Sequence, residues 1–319
     1  MLGRSLLMVA LAAVAALVWT FLPQRLAVPA GPAEALPALE HPAVTRIGVI
    51  ETGTMQSSAL FAYRGGGFEP RELGMDVVLV EHPKGRLLID TGFGSRVAEH
   101  ARTIPLLMRA VSTLTPATPA LKQLEALGYT PKDFAGVLLT HVHWDHVSGL
   151  DDLREVPVWI NAAEHDFIAS GGDASLLMRG FAGLKFQTYA FDGGPYAGWP
   201  ASHDVFGDGS VVVVPAGGHT PGSVIIFVRT PGRDYAFIGD LAWQHEGVDL
   251  PAERPWLARV LVDQDAAVVR EQLVRLHQLQ AYSPRLTVVP AHDRRVMASL
   301  PRAQHPAPAG EAVAPDAAP

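Results

Sequence analysis

The chain contains no cysteine in 319 residues. Disulfide staples, thiolate metal ligands, a cysteine nucleophile and a lipid-modified cysteine are all excluded. Charge is sparse as well: Asp, Glu, Lys and Arg make up 18% of the chain, with a formal balance of −7. That leaves no basic footprint of the kind that neutralises a phosphate backbone, which argues against a nucleic-acid substrate. No internal repeat is found. One long apolar run occupies residues 6–22, broken only by Thr20 and set between Arg4 and Arg25. A signal peptide has a basic start and about 7–15 apolar residues, whereas a spanning helix needs at least about 17. Residues 1–27 therefore read as a signal peptide or an N-terminal membrane anchor, with small residues for cleavage at Val28-Pro29-Ala30. The expectation is an exported protein, periplasmic or attached to the membrane on its outer side through residues 6–22. Residues 28–44, rich in Ala and Pro, read as a linker, and 301–319 as a disordered Ala/Pro-rich tail. The remaining stretch, 45–300, is read as one catalytic domain.

What is present is concentrated in Thr140-His141-Val142-His143-Trp144-Asp145-His146, directly after the apolar run 135–139. His141 and His143 are two apart on extended chain, so they project to the same side and can bind one ion. Asp145 and His146 follow where the chain turns into a helix, point elsewhere, and can reach a second ion. Imidazole and carboxylate without thiolate suit Zn(II), with Fe(II) or Mn(II) as alternatives.

Further lone His and Asp residues stand at the ends of other strand-like runs. Asp90 follows the strand 86–89, and His219 follows the β-branched run 210–214 through Gly217-Gly218, which returns it towards the His141/His143 pair. Asp240 ends the hairpin 224–238, and His292 ends the strand 286–289. Strands are also expected at 45–51, 76–81 and 158–160. The stretch 52–74, with Gly65-Gly66-Gly67, reads either as a mobile substrate loop or as a plain connection. An apolar helix is expected over 100–114, either lining an acyl cleft or part of the core. A second is expected from Thr118 as N-cap and Pro119 to a stop at Gly128, and a third over 266–281 capped by Asp263 or Asp265. His165 is read as lying outside the site, 170–199 as pocket rim, and Arg294 and Arg295 as solvated.

These segments together resemble the metallo-β-lactamase superfamily, whose HxHxDH signature matches 141–146. The resemblance implies an α/β (α+β) fold of four αββα layers, two β-sheets sandwiched between outer helices. It implies metal ligands at His141, His143, Asp145, His146, His219, Asp240 and His292, with Asp240 bridging two ions through its two oxygens. Asp90 is implied as the residue that holds the metal loop in place rather than as a ligand. Two Zn(II) about 4 Å apart would activate a bridging hydroxide for ester or lactone hydrolysis, with Asp145 relaying the proton. The branch that the chain resembles most is the N-acyl homoserine lactonases, through Leu79-Val80-Glu81-His82-Pro83-Lys84-Gly85, Gly218-His219-Thr220-Pro221-Gly222 and the pair His292-Asp293. Those lactonases place a substrate-binding tyrosine three residues after the bridging Asp. Here Trp243 stands in that place, and an indole N–H donates but cannot exchange a proton as a phenol does. The alternatives carried are a thioesterase of glyoxalase II type, a phosphodiesterase, and an exported metal-binding protein without turnover.

Overall fold

The computed structural model describes residues 2–31, 34–39, 45–110 and 112–306. Its order begins with β1 (Arg46–Ser58), β2 (Pro70–His82), β3 (Gly85–Ile89), β4 (Thr113–Pro116), β5 (Phe134–Leu138), β6 (Val158–Asn161) and β7 (Phe186–Tyr189). These form a seven-stranded sheet in the order β4-β1-β2-β3-β5-β6-β7. The second sheet has β8 (His203–Asp204), β9 (Val211–Pro215), β10 (Val224–Arg229), β11 (Asp234–Phe237) and β12 (Leu286–Val289). Their order is β12-β11-β10-β9-β8.

Alternation along the strands decides the layering. Val78 and Val80 of β2 face Val213, Ile226 and Phe237 of the other sheet in one shared core. Val77 and Leu79 point the opposite way and pack with Leu124, Phe167 and Leu177 from helices on the outside. Val212, Val214, Ile225 and Phe227 do the same on the far side, against Val269, Leu273 and Leu276 of the helix Ala266–Tyr282. Helix, sheet, sheet, helix is the expected αββα arrangement. Two parallel pairs matter for function: β3 beside β5, and β11 beside β12. Each pair delivers two of the singled-out segments to one end of the sandwich.

Several expectations need correction. The stretch 52–74 is mostly strand, because β1 and β2 pair antiparallel from Arg46–Glu81 out to Ser58–Pro70. The helix expected over 100–114 breaks at Pro105 into short turns and Leu106–Ala110, and Thr113–Pro116 instead pairs with β1. Proline removes a backbone donor and clashes with the preceding turn, which ends the helix there. The next helix is Ala120–Ala126 with Pro119 at its cap, and Gly128 has φ +90° as its stop.

The segments at either end also differ from expectation. At the end of the leader Leu26 N donates to Pro251 O, and in the region read as a linker Leu36 N donates to Ser283 Oγ and the carbonyls of Pro29 and Pro37 accept from Gln278 and Arg229. Residues 301–306 lie along the body: Val49 N donates to Pro301 O and Ala303 N to Val49 O. Gly48 makes room for this, since a Cβ there would sit 2.6 Å from Ala303 Cα. The rest of the expected tail, 307–319, and residues 40–44 lie outside the described residues. The apolar leader forms the helix Leu2–Trp19, with Leu6, Val9 and Val14 exposed and Trp19 docked under the Arg64 guanidinium. Among the described residues no helix is long and apolar enough to cross a membrane, which gives no support to the anchor reading of 6–22.

Candidate metal centre

The HxHxDH stretch leaves β5 and turns into the one-turn helix Trp144–Val147. His141 and His143 precede that turn, while Asp145 and His146 lie on it, so the motif spreads along the floor of one cleft. Gly218, at φ +117°, bends the chain after β9 so that His219 returns to the pair. Its missing Cβ matters, because one there would stand 2.8 Å from Val269 N. Asp240 follows β11 and His292 follows β12, side by side because those strands are parallel.

The seven side chains expected as ligands converge. His141, His143 and His219 form one group, with ring centroids 4.5–4.7 Å apart. Asp145, His146 and His292 form another, and His141, His146 and Asp240 link the two. Asp240 turns one oxygen each way: Oδ1 lies 3.2 Å from His146 Nε2 and 3.0 Å from His292 Nε2, and Oδ2 lies 3.5 Å from His219 Nε2. His165 stays outside, edge-on to Phe186.

The outer nitrogens of four imidazoles are tied down. His146 Nδ1 meets Asp90 Oδ2 at 2.8 Å, His219 Nδ1 meets Asp263 Oδ1 at 2.9 Å, His292 Nδ1 meets Gly74 O at 2.8 Å, and His141 Nδ1 meets Thr140 Oγ1 at 3.1 Å. Three of their inner nitrogens, and one carboxylate oxygen beside them, are not satisfied. His141 Nε2, His146 Nε2, His219 Nε2 and Asp240 Oδ1 are buried without a hydrogen-bond partner. Buried polar atoms are ordinarily paired, so four orphans facing one point indicate a centre built to coordinate something. An acceptor on Nδ1 fixes the proton there and leaves the Nε2 lone pair inward, as metal-ligating histidines require. Nitrogen and oxygen donors in this number fit two divalent ions of the zinc type.

The electrostatics agree. Burial, with mutual repulsion among the rings, holds His141 and His143 well below the ordinary histidine range, which favours their neutral form. Burial works the same way on His146 and His292, yet the carboxylates of Asp90 and Asp240 for the first, and of Asp240 and Asp145 for the second, push both upwards. Negative potential therefore gathers between Asp90, Asp145 and Asp240, where positive charge is stabilised.

Asp90 is not aimed at the centre. It sits at φ +54°, accepting from Thr140 N and Thr140 Oγ1 at 2.7 Å each, and from His146. Trp243 Nε1 donates to Asp240 Oδ2 at 2.8 Å. Its ring, with Met55, Leu73, Met108, Leu261 and Val262, lines an apolar pocket that opens on His143, Asp145, His219, Asp240 and His292. Residues 170–199 contribute Asp173 and Ala174 to the rim.

Three contributors were not anticipated. Asp265 is the cap of the helix Ala266–Tyr282, accepting from Ala267 N and Val268 N, which frees Asp263 to hold His219. Two aspartates two apart before a helix were the available signal, since one of them can cap. Arg254 bonds both Asp263 and the carbonyl of Asp240. Glu164 accepts from Val142 N, Thr220 Oγ1 and Gly222 N, joining the HxH segment to the His219 turn, and burial pushes its carboxyl up to about 7. Ser148 Oγ meets His100 Nδ1 at 2.9 Å and accepts from Gly94 N, a buried structural clasp.

Comparison with known proteins agrees with this fold. A probable metallo-hydrolase of Mycobacterium tuberculosis is 29% identical over 229 residues, covering 68% of this chain and 74% of its own. The N-acyl homoserine lactonase AttM of Agrobacterium fabrum is 27% identical over 198 residues, 58% of this chain and 72% of its own. An N-acyl homoserine lactone hydrolase solved with N-hexanoyl-L-homoserine at its catalytic metal centre has the same fold, with TM-score 0.64 and 17% identity over 82% of this chain and 98% of its own. Residues 71–292 match the family model described as the metallo-beta-lactamase superfamily, well over half of the chain, and the chain belongs to that superfamily.

Proposed function

We propose that this chain is a dinuclear metal-dependent hydrolase that opens lactones or cleaves related esters carrying an apolar acyl group. The observation that carries the reading is the set of inward, unpaired Nε2 atoms and Asp240 Oδ1 at the end of an apolar pocket. His141, His143 and His219 would hold one ion, Asp145, His146 and His292 the other, with Asp240 shared between them. Bound divalent ions supply a low-pKa water as nucleophile and polarise the carbonyl under attack. The chain supplies the rest. Asp90 and Asp263 keep the two imidazoles in the ligating tautomer. Asp145, whose Oδ2 lies 3.4 Å from His292 Nε2, would take the proton of the attacking water and return it to the leaving alkoxide. Met55, Leu73, Met108, Leu261 and Val262 take the acyl chain and exclude water. The lactonase relatives support the lactone over other esters.

Replacing His143 with Ala should remove one equivalent of bound metal and abolish hydrolysis while far-UV circular dichroism is unchanged. Retained turnover by that variant would overturn the two-ion reading. Export from the cytoplasm, proposed from Arg4 and the run 6–22, is checked by fractionating cells that express the full chain; recovery in the cytoplasm alone refutes it.

A further inference from the structure

Trp243 is set apart from the rest of the pocket wall by what its ring touches. Its single N–H is already engaged by Asp240 Oδ2 at 2.8 Å. The Arg254 guanidinium lies over the ring, 5.1 Å from its centroid. Arg254 Nη1 donates to Asp240 O at 2.8 Å, and its Nη2 bonds Asp263, which in turn holds His219 Nδ1. Ala258, Val262, Phe61 and Met108 pack around the indole. A closed circuit results: Asp240, Trp243, Arg254, Asp263 and His219, with Asp240 Oδ2 3.5 Å from His219 Nε2 across the middle.

We propose that Trp243 is a positioning and specificity-determining residue: its N–H orients the Asp240 carboxylate, and its ring walls the apolar pocket off from Arg254 while leaving it open to the centre. The inference deepens the function proposed above and rests on it. An indole has one donor and no acceptor on its ring nitrogen. Committed to Asp240, that donor is not offered to a substrate carbonyl, so polarisation of the carbonyl falls to the rest of the centre. The cation–π contact with Arg254 and the apolar packing hold the ring where it is. Its bulk then sets the depth of the pocket, and a smaller side chain would lengthen it.

The test titrates the metal-free full chain with Co(II), followed by visible absorbance, before any activity is measured. Trp243→Phe keeps an aromatic wall and removes the donor; its Co(II) affinity should fall about tenfold or more, the range seen when a group orienting a ligand is lost. Trp243→Tyr restores a donor and should recover most of that loss. Trp243→Leu, a second variant should the Phe variant fold poorly, should show the same weakening. Across N-acyl homoserine lactones of increasing chain length, Trp243→Leu should move the lowest KM to longer chains, with kcat changed less. Wild-type Co(II) affinity in both donor-less variants, with unchanged chain-length preference, overturns the proposal. A wild-type protein that takes up fewer than two Co(II) equivalents instead overturns the function reading, and this inference with it.

Discussion

Two clusters of histidine and carboxylate lie within a few residues of each other, and they are built on opposite principles. One is the centre around Asp240. The other is His245, Glu246 and Asp293, whose ligand-type atoms also lie within 4.8 Å of one another. In the second, Asp293 Oδ2 accepts from His245 Nδ1 at 2.6 Å and from Arg295 Nη2 at 3.0 Å, and Arg295 also reaches Glu246 and Gln244 at 2.7 and 2.8 Å. Against burial, those bonds hold Asp293 well below the carboxylate range, and the bond to Asp293 holds His245 above its own. An arginine supplies the cation from within the chain. Around Asp240 the inner donors have no such partner and the charge is left for an external cation. Composition alone does not separate the two; what does is whether a guanidinium bonds the cluster's own carboxylates, as Arg295 does, whereas Arg254 reaches the Asp240 carbonyl and Asp263 behind His219. Arg294 and Arg295, read as solvated, are partly exposed and ion-paired as well, Arg294 with Glu72 and Glu51.

Substitutions can break that contrast in order of expected size. Removing an inner donor should have the largest effect: His141→Ala should lose metal and all turnover, read by metal analysis and by hydrolysis of a lactone. Asp293→Ala, which dismantles the second cluster, should keep both metal equivalents. Next comes the support behind a donor. Asp263→Asn leaves His219 in place without its carboxylate and should weaken metal binding by about 10–100-fold. Arg295→Met should leave metal binding alone and cost about 1–3 kcal/mol of stability, because a fully buried Asp293 loses donors; chemical denaturation measures it.

A further effect is pH-dependent and leaves metal binding aside. Asp76 is buried with neither oxygen hydrogen-bonded, and burial, reinforced by Glu51, pushes its carboxyl up to about 7. Its folded value lies above the ordinary one of 3.8, so the folded state binds the extra proton between those values. Stability of the metal-free protein should therefore fall as pH rises from about 4 to about 7 and level off above. Asp76→Asn should remove that component, read as a flatter dependence of the unfolding midpoint on pH.

The centre was legible because several of its donors, and the Asp90 that supports one of them, stand where buried apolar runs end. His141 follows β5, Asp90 β3, Asp240 β11 and His292 β12, so polar residues mark the points where strands leave the core. Asp263 and Arg254 were not legible, since nothing local distinguishes a helix-capping aspartate from one two residues earlier that turns inwards. The outer halves of β1 and β2 escaped for a different reason. Positions 52–58 and 70–74 mix Gly, Thr, Ser and Glu, and only their pairing with each other and with β4 makes them strand. The stretch 28–44 reads as a free linker from its Ala and Pro content, yet the carbonyls of Pro29 and Pro37 accept from Gln278 and Arg229 and fasten those parts of it to the body.

The central claim is that this buried centre, loaded with metal, hydrolyses an apolar lactone. Base consumption in a pH-stat, with a long-chain N-acyl homoserine lactone, tests it most directly on protein before metal removal, after it, and after reconstitution with two equivalents of Zn(II). The account predicts ring opening that disappears with the metal and returns on reconstitution. Ring opening that persists without metal, or none from protein holding two equivalents, would contradict it.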